Sequence, residues 1–383
     1  MSKNISLPSI KLAKNLNDKF VILRASLNVP VYSGEVLDEF RIIRSLDTIK
    51  YLKKNGAKVL ILSHIGRKEL DSLKPVYKVM KEQVDMQWGG AFDSSAFKSI
   101  HKAMKSGDIV MMENIRQHKG EELNDASLAQ ALAQLGDIFV NDAFAASHRT
   151  HASLVGIPKL LPTYFGLNFI REYEELKKAM TPLSPSLFIL GGAKFETKLP
   201  LVEQYLARYD NVFVGGALAN DIFKAQGFEV GQSLVSDVDL RNSSILKNQQ
   251  LLLPVDVVVE GLQGVLVKRP DQVILTDKIL DAGPDTVKLL KNYINRAKSV
   301  LWNGPLGDYE DGFGDPTIDV GDAVAKSKAY SLVGGGDTVA ALKHNIDINH
   351  INFMSTAGGA MLTFLETGTL PAIDSVLHSK YQI

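Results

Sequence analysis

SLFILGGAK, residues 186–194, is a short apolar run that closes on two glycines and opens into a helix-length stretch. The same unit recurs as NVFVGG (211–216), SVLWNG (299–304), AYSLVGGG (329–336) and INFMST (351–356), with LLLPVDVVV (251–259) reading as a further strand. In the first half KFVILRAS (19–26), KVLILSH (58–64), DIVMMEN (108–114) and DIFVND (137–142) repeat the alternation. Apolar strands separated by amphipathic helices are the pattern of parallel sheets covered on both faces, so the fold class is α/β.

The chain has 383 residues, too many for one core of ordinary size, and two lobes are expected. The charged helical pattern REYEELKKAM (171–180) is expected to join them, with the boundary near TPLSPS (181–186). Hydrophobic residues are 45% and charged residues 22%, which excludes a disordered or fibrous chain. No segment has the 18 or so apolar residues of a membrane span, and cysteine is absent, which removes thiol catalysis and thiolate metal sites. A soluble, cytoplasmic protein is the expectation. Net charge is zero, which argues against a nucleic-acid coat. Residues 1–180 nevertheless hold 26 basic against 20 acidic residues, and the remainder 17 against 23, so an anionic ligand is drawn to the first half.

Ligands of open parallel sheets bind beyond the carboxyl ends of the strands. In the first half those ends carry RASLN (24–28), HIGR (64–67), NIR (114–116) and HRTH (148–151), and Arg41 lies in DEFRII. Guanidinium groups match carboxylate and phosphate through paired hydrogen bonds, so arginines at several strand ends suit a small polyanion. In the second half neither GxxxxGK[ST] nor GxGxxG is present. The glycine loops GGAK (191–194), GGGDT (334–338) and STAGGA (355–360) take their place, each joining a strand to a helix whose N-terminus favours phosphate. Lys194 and Lys198 are read as one helical turn apart on a shared face. Asp337 is a candidate magnesium ligand, because magnesium takes few carboxylates beside phosphate and water. Asn303 and Glu310 in WNGPLGDYE (302–310) are candidates for the nucleotide, with Glu310 suited to ribose hydroxyls.

Together with LRASLNVP (23–30), LSHIGR (62–67), ENIR (113–116), VNDAFAASHRTHAS (140–153), LGGAKFETK (190–198) and LWNGPLG (301–307), these motifs resemble phosphoglycerate kinase in order and spacing from about residue 5 to about residue 375. The resemblance implies two Rossmann-like lobes. Residues 1–170 would bind 3-phosphoglycerate or 1,3-bisphosphoglycerate, 171–185 would form a hinge helix, 186–368 would bind ATP or ADP with Mg2+, and 369–383 would return to the first lobe. It implies a monomer that transfers a phosphoryl group reversibly in glycolysis and gluconeogenesis, with neither nucleic acid nor membrane as partner. By motif position, Ser26, Asn28, Arg41, His64, Arg67, Arg116 and Arg149 would hold the phosphoglycerate. Arg41 and Lys194 would stabilise the transferring group, and Lys198, Asn303, Glu310, Gly335, Gly336, Asp337 and Thr338 would hold the nucleotide and metal. The chain departs from the family at Ser26, where an aspartate is usual, and at Thr197, Ala357 and Gln117. Ser26 and Thr197 motivate the alternative of a catalytically weakened nucleotide-binding or interaction protein on the same fold.

Overall fold

The computed structural model describes residues 6–68, 70–193 and 198–381. The chain packs as two compact units, Met1–Glu174 with Thr367–Ile383, and Glu175–Glu366.

The first unit runs β1 (Phe20–Ala25), the small hairpin β2 (Val31–Tyr32) and β3 (Glu35–Val36), α1 (Phe40–Lys54), β4 (Lys58–Leu62), α2 (Lys74–Gln83), β5 (Gln87–Gly90), α3 (Ser95–Ala103), β6 (Ile109–Met112), α4 (Ala126–Ala133), β7 (Ile138–Asp142), β8 (Thr163–Phe165) and α5 (Leu167–Ala179). Its six-stranded sheet has the order β5-β6-β4-β1-β7-β8 and every pairing is parallel. Successive strand residues point to opposite faces, and both faces are covered. Val21, Leu23, Val59, Ile61 and Met111 enter one core, while Ile22, Leu60, Leu62, Val110 and Phe139 enter another. The chain leaves β1 towards β4 and later returns to its other side at β7, so the loops after these three strands share one crevice.

The second unit contains β9 (Ser186–Leu190), α6 (Leu199–Leu206), β10 (Asn211–Val214), α7 (Ala217–Ala225), β11 (Leu251–Leu252), β12 (Val257–Gly261), β13 (Gly264–Lys268), β14 (Lys278–Ala282), α8 (Pro284–Arg296), β15 (Ser299–Asn303), α9 (Asp315–Lys326), β16 (Tyr330–Gly334), α10 (Gly336–Lys343), β17 (Phe353–Met354) and α11 (Gly359–Thr367). The order β11-β10-β9-β15-β16-β17 is that of a doubly wound sheet, with its switch point between β9 and β15. A separate antiparallel sheet, β13-β12-β14, lies beside it in sequence.

The single strand expected over 251–259 is two elements in two sheets. Pro254 supplies no N–H for a ladder, and the Asp256 carboxylate turns to accept the N–H groups of Asp285 and Thr286 at 2.9 and 2.7 Å at the start of α8. The division between units falls inside α5, upstream of Pro182 and Pro185. The last helix, α12 (Pro371–Leu377), packs on the first unit, where Ala372 joins Ala143, Ala146, Leu154 and Val155. No helix among the described residues is long and apolar enough to cross a membrane.

Asp142 closes β7 and anchors the start of α5. It is completely buried, its Oδ1 accepts the Phe169 N–H at 2.8 Å, and Thr48 and the Asn168 N–H also bond to it. Burial outweighs these bonds and pushes the carboxyl up to about 7. Because the folded value exceeds the unfolded one, the neutral group's stabilisation is complete below about pH 4 and is lost as pH rises through about 7. Asp281 has the same sign, burial pushing it up to about 8. Urea unfolding should therefore show stability falling from about pH 5 to about pH 8, with a visibly flatter profile in Asp142→Asn. An unchanged slope in that variant would remove Asp142 as its source.

Candidate active site

At the carboxyl end of the first sheet the loops are tied together by short side chains. Ser63 donates to the Ala25 carbonyl at 2.8 Å and accepts the Leu27 N–H at 3.2 Å, fixing the turn after β1 against that after β4. Asn28 accepts the Gly66 N–H at 2.9 Å through Oδ1, and its own carbonyl accepts Arg41 Nη1 at 2.6 Å. The Asp71 carboxylate accepts the N–H groups of Arg67 and Lys68 at 2.9 and 2.8 Å, which shapes the turn that carries Arg67. Asn114 bonds both the N–H and the carbonyl of Ile65, and Arg116 Nη1 donates to the Gly66 carbonyl. Five sequence candidates from four loops, Asn28, His64, Arg67, Arg116 and Arg149, are assembled at one sheet end.

The groups lie close enough to act on one another electrostatically. Burial, then Arg149, lowers the Arg116 guanidinium, with Glu122 acting against them at 3.2 Å and Arg67 adding to the repulsion. His64 is held well below the ordinary imidazole range by burial and then by Arg24, Arg116, Arg149 and His151. Arg149 Nε lies 3.3 Å from His148 Nε2. Arg41, from the start of α1, is lowered by burial, with Glu172 and Asp38 opposing. Ser26 lies buried in the loop immediately after β1, and Arg67 is exposed. A cluster with this excess of donors and positive charge is built to take a compact anion.

Arg24 differs from the sequence expectation. It sits inside β1, fully buried, with Nε on Ser153, Nη1 on the Ala25 carbonyl and Nη2 on His64 Nδ1. Its strand is covered on both faces, so its charge has to be satisfied internally and it is not an open anion donor. Of the two residues that partner it, Glu121 carried no motif signal, and Ser153 only closes the quoted stretch 140–153. The only hint was that a charged residue within an apolar strand requires a buried partner.

In the second unit the site forms at the switch point. The Gly191 N–H donates to the Asn303 carbonyl at 2.8 Å and the Gly192 N–H to the Pro305 carbonyl at 3.0 Å, so the loops after β9 and β15 touch through backbone. Gly304 has φ +94, and a Cβ there would lie 2.3 Å from the Gly191 carbonyl oxygen, which excludes a side chain. Lys198 is the residue immediately before α6. Lys194 and Thr197 lie outside the described residues. Lys198 Nζ donates to the Gly191 carbonyl at 2.9 Å; burial lowers its ammonium to about 8, with Asp337 opposing.

Gly335 has φ +99 and precedes α10, whose first residues Gly336 and Asp337 are exposed. Thr338 follows, fully buried, with an Oγ1 that has no partner, and a Cβ at Gly335 would sit 3.3 Å from it and 3.4 Å from Asn303 Nδ2. Asn303, also buried, directs Nδ2 to Met361 Sδ at 3.6 Å. Glu310 occupies a single exposed turn at 309–311. In the third glycine loop, Ala357 is buried before α11. These groups offer a helix N-terminus, close-approach glycines, an ammonium and a carboxylate, the parts a phosphate chain needs. Among the described residues no three His, Cys, Asp or Glu side chains form a metal cage. The exposed Asp337 carboxylate fits magnesium, which is held by one or two carboxylates with phosphate and water completing its shell.

The phosphoglycerate kinase family model matches residues 11–368. A phosphoglycerate kinase of Xanthobacter flavus is 39% identical over 387 residues, spanning 95% of this chain and 97% of that protein. One from Finegoldia magna is 38% identical, spanning 94% and 97%. The solved phosphoglycerate kinase of Coxiella burnetii superposes with a TM-score of 0.83 at 37% identity, covering 97% of this chain and 98% of the other. That of Pyrococcus horikoshii gives 0.84 at 29% identity with the same coverage. With its two parallel sheets, its strand-end basic cluster and this likeness over almost its entire length, the chain belongs to the phosphoglycerate kinase family.

Proposed function

We propose that this chain catalyses reversible phosphoryl transfer between ATP and 3-phosphoglycerate, the first unit holding the phosphoglycerate and the second the nucleotide. The observation that carries the reading is the assembly of Asn28, His64, Arg67, Arg116 and Arg149 at one sheet end in a member of this family. A carboxylate oxygen of 3-phosphoglycerate attacks the γ-phosphorus of ATP, the bond from that phosphorus to the ADP oxygen breaks, and 1,3-bisphosphoglycerate and ADP result. No covalent enzyme intermediate is required, so the protein supplies position and charge compensation.

In this reading Asn28, Arg67, Arg116 and Arg149 orient the anionic ends of the phosphoglycerate, and Arg41, held by the Asn28 carbonyl, compensates charge on the moving group. Lys194 would act on the same group from the nucleotide side. Gly335, Gly336 and Thr338 offer the phosphates backbone and hydroxyl donors, and Lys198 an ammonium. Asn303 and Glu310 would bind the remainder of the nucleotide. Bound at Asp337, magnesium would neutralise phosphate charge. Because donor and acceptor are held on different units, a hinged approach that excludes water belongs to the proposal.

A coupled assay of ADP formation from ATP and 3-phosphoglycerate with magnesium should show robust turnover; binding of MgATP without turnover would sink the enzyme reading. In the same assay Ser26→Asp should lower the KM for phosphoglycerate roughly tenfold or more, since a charged hydrogen bond is worth about 1.5–3 kcal/mol. A raised or unchanged KM would show that position 26 does not meet the substrate hydroxyl.

Lys198 gives a second test. Its ammonium is charged below about 8 and neutral above, so ADP affinity should weaken as pH rises through that value. Calorimetric titration from about pH 7 to about pH 9 should show this loss in the wild type and a flatter profile in Lys198→Arg, whose charge persists. Equal slopes in the two proteins would exclude Lys198 as the titrating group.

A further inference from the structure

Behind the anion cluster lies a chain of hydrogen bonds whose direction is fixed by chemistry. Glu121 is fully buried; its Oε2 accepts the Ser153 N–H at 2.9 Å and its Oε1 accepts the Ser153 hydroxyl at 2.6 Å. The Ala152 N–H donates to the Glu121 carbonyl at 2.9 Å, so the backbone of both segments is locked as well. A hydroxyl has one hydrogen, and that of Ser153 is committed to the carboxylate. Its oxygen is left to accept, and it accepts Arg24 Nε at 2.8 Å. Arg24 Nη1 donates to the Ala25 carbonyl at 3.1 Å, and Nη2 lies 2.9 Å from His64 Nδ1.

A guanidinium donates and never accepts, so Nδ1 of His64 carries no hydrogen. The neutral ring therefore has its proton on Nε2. Burial and the surrounding Arg24, Arg116, Arg149 and His151 all disfavour a second proton. Glu121 Oε1 also lies 3.8 Å from Arg24 Nη2, offsetting the buried guanidinium charge, and 3.8 Å from His151 Nδ1.

We propose that Glu121, acting through Ser153 and Arg24, is a positioning residue that fixes His64 as the Nε2–H tautomer, so that His64 presents a neutral hydrogen-bond donor to an oxygen of the phosphoglycerate. The inference rests on the reading of this cluster as the phosphoglycerate site. The opposite tautomer would turn a lone pair towards the anion and repel it. The arrangement also separates two roles that the sequence placed together. Arg24 orients a ligand-facing group, while Arg67, Arg116 and Arg149 provide the charge.

The tautomer is read directly by long-range proton–nitrogen NMR of the free protein, with the His64 signals assigned by their loss in His64→Gln. The wild type should show protonated Nε2 and unprotonated Nδ1. Ser153→Ala and Glu121→Gln should show mixed tautomers, a KM for 3-phosphoglycerate raised roughly tenfold, and a nucleotide KM and kcat within about twofold of wild type. Ser153→Thr, which keeps the hydroxyl, should restore both signals. A protonated Nδ1 in the wild type would overturn the proposal, as would variants that keep a single Nε2–H tautomer with unchanged KM. If the KM for nucleotide rises in parallel, the residues are merely structural and the proposal fails. Because the spectrum needs no substrate, the expected tautomer in a protein that does not bind phosphoglycerate would instead overturn the functional reading, and with it the role of the donor.

Discussion

Like charges have to be held close together before any anion arrives, and the first unit is organised around that cost. Two unit charges about 4 Å apart interact by about 4 kcal/mol at an effective dielectric of 20, so unsupported arginines at neighbouring strand ends would splay apart. The chain prevents this in two ways. Buried Glu121 lies beside Arg24, and Glu122 pairs with Arg116 at the rim. Uncharged anchors, Ser63, Asn28 and Asn114, stitch the loops through backbone groups that no change of charge can displace. Positive potential is thereby concentrated on the side a ligand can reach, while compensation is kept beneath it.

The second unit solves a different problem with different material. Its switch point brings two loops together through their peptide groups, with Gly191 and Gly304 allowing backbone contact that side chains would block. In the proposed function a phosphate chain would be met there by N–H groups and a helix N-terminus. Fixed side-chain charges are few, and the ammonium of Lys198 is weakened by its own burial. The contrast follows the charge division visible along the chain, basic in the first half and acidic in the second. Guanidinium clusters suit a rigid compact anion that is bound by its ends. Backbone nests suit a flexible phosphate chain whose charge is shared with a metal.

Much of this was legible in the sequence, because apolar strands announce themselves and the crevice lies where they end. The central strands of both sheets, and the residues closing them, follow from that reasoning. Elements with weak apolar signals did not announce themselves: β5 is QWGG and β8 is TYF, each an edge strand with little to bury. The run 251–259 looked continuous because hydrophobicity alone cannot distinguish one sheet from two; Pro254 and the capping demand of α8 decide it. Glu121 was invisible for a stronger reason. Its partners are Ser153, 32 residues later, and Arg24 at the first strand, contacts that only the tertiary fold creates.

Arg24 shows why proximity to a motif is a poor guide to role. An arginine in a strand covered on both faces cannot reach solvent without breaking the sheet, and leaving it unpaired inside would cost several kcal/mol. Its fork must therefore be spent on neighbours, and each bond it makes dictates the protonation of whatever accepts it. Serine accepts from Arg24 while its hydrogen goes to Glu121, and histidine can accept only by giving up its Nδ1 hydrogen. A buried charge thus sets the chemical face of the neutral histidine proposed to meet the ligand. The same logic applies to the uncharged Asn28, which presents two acceptors to protein, one to Gly66 and one to Arg41, and so couples the shape of the turn after β4 to the position of the guanidinium expected at the moving phosphoryl group.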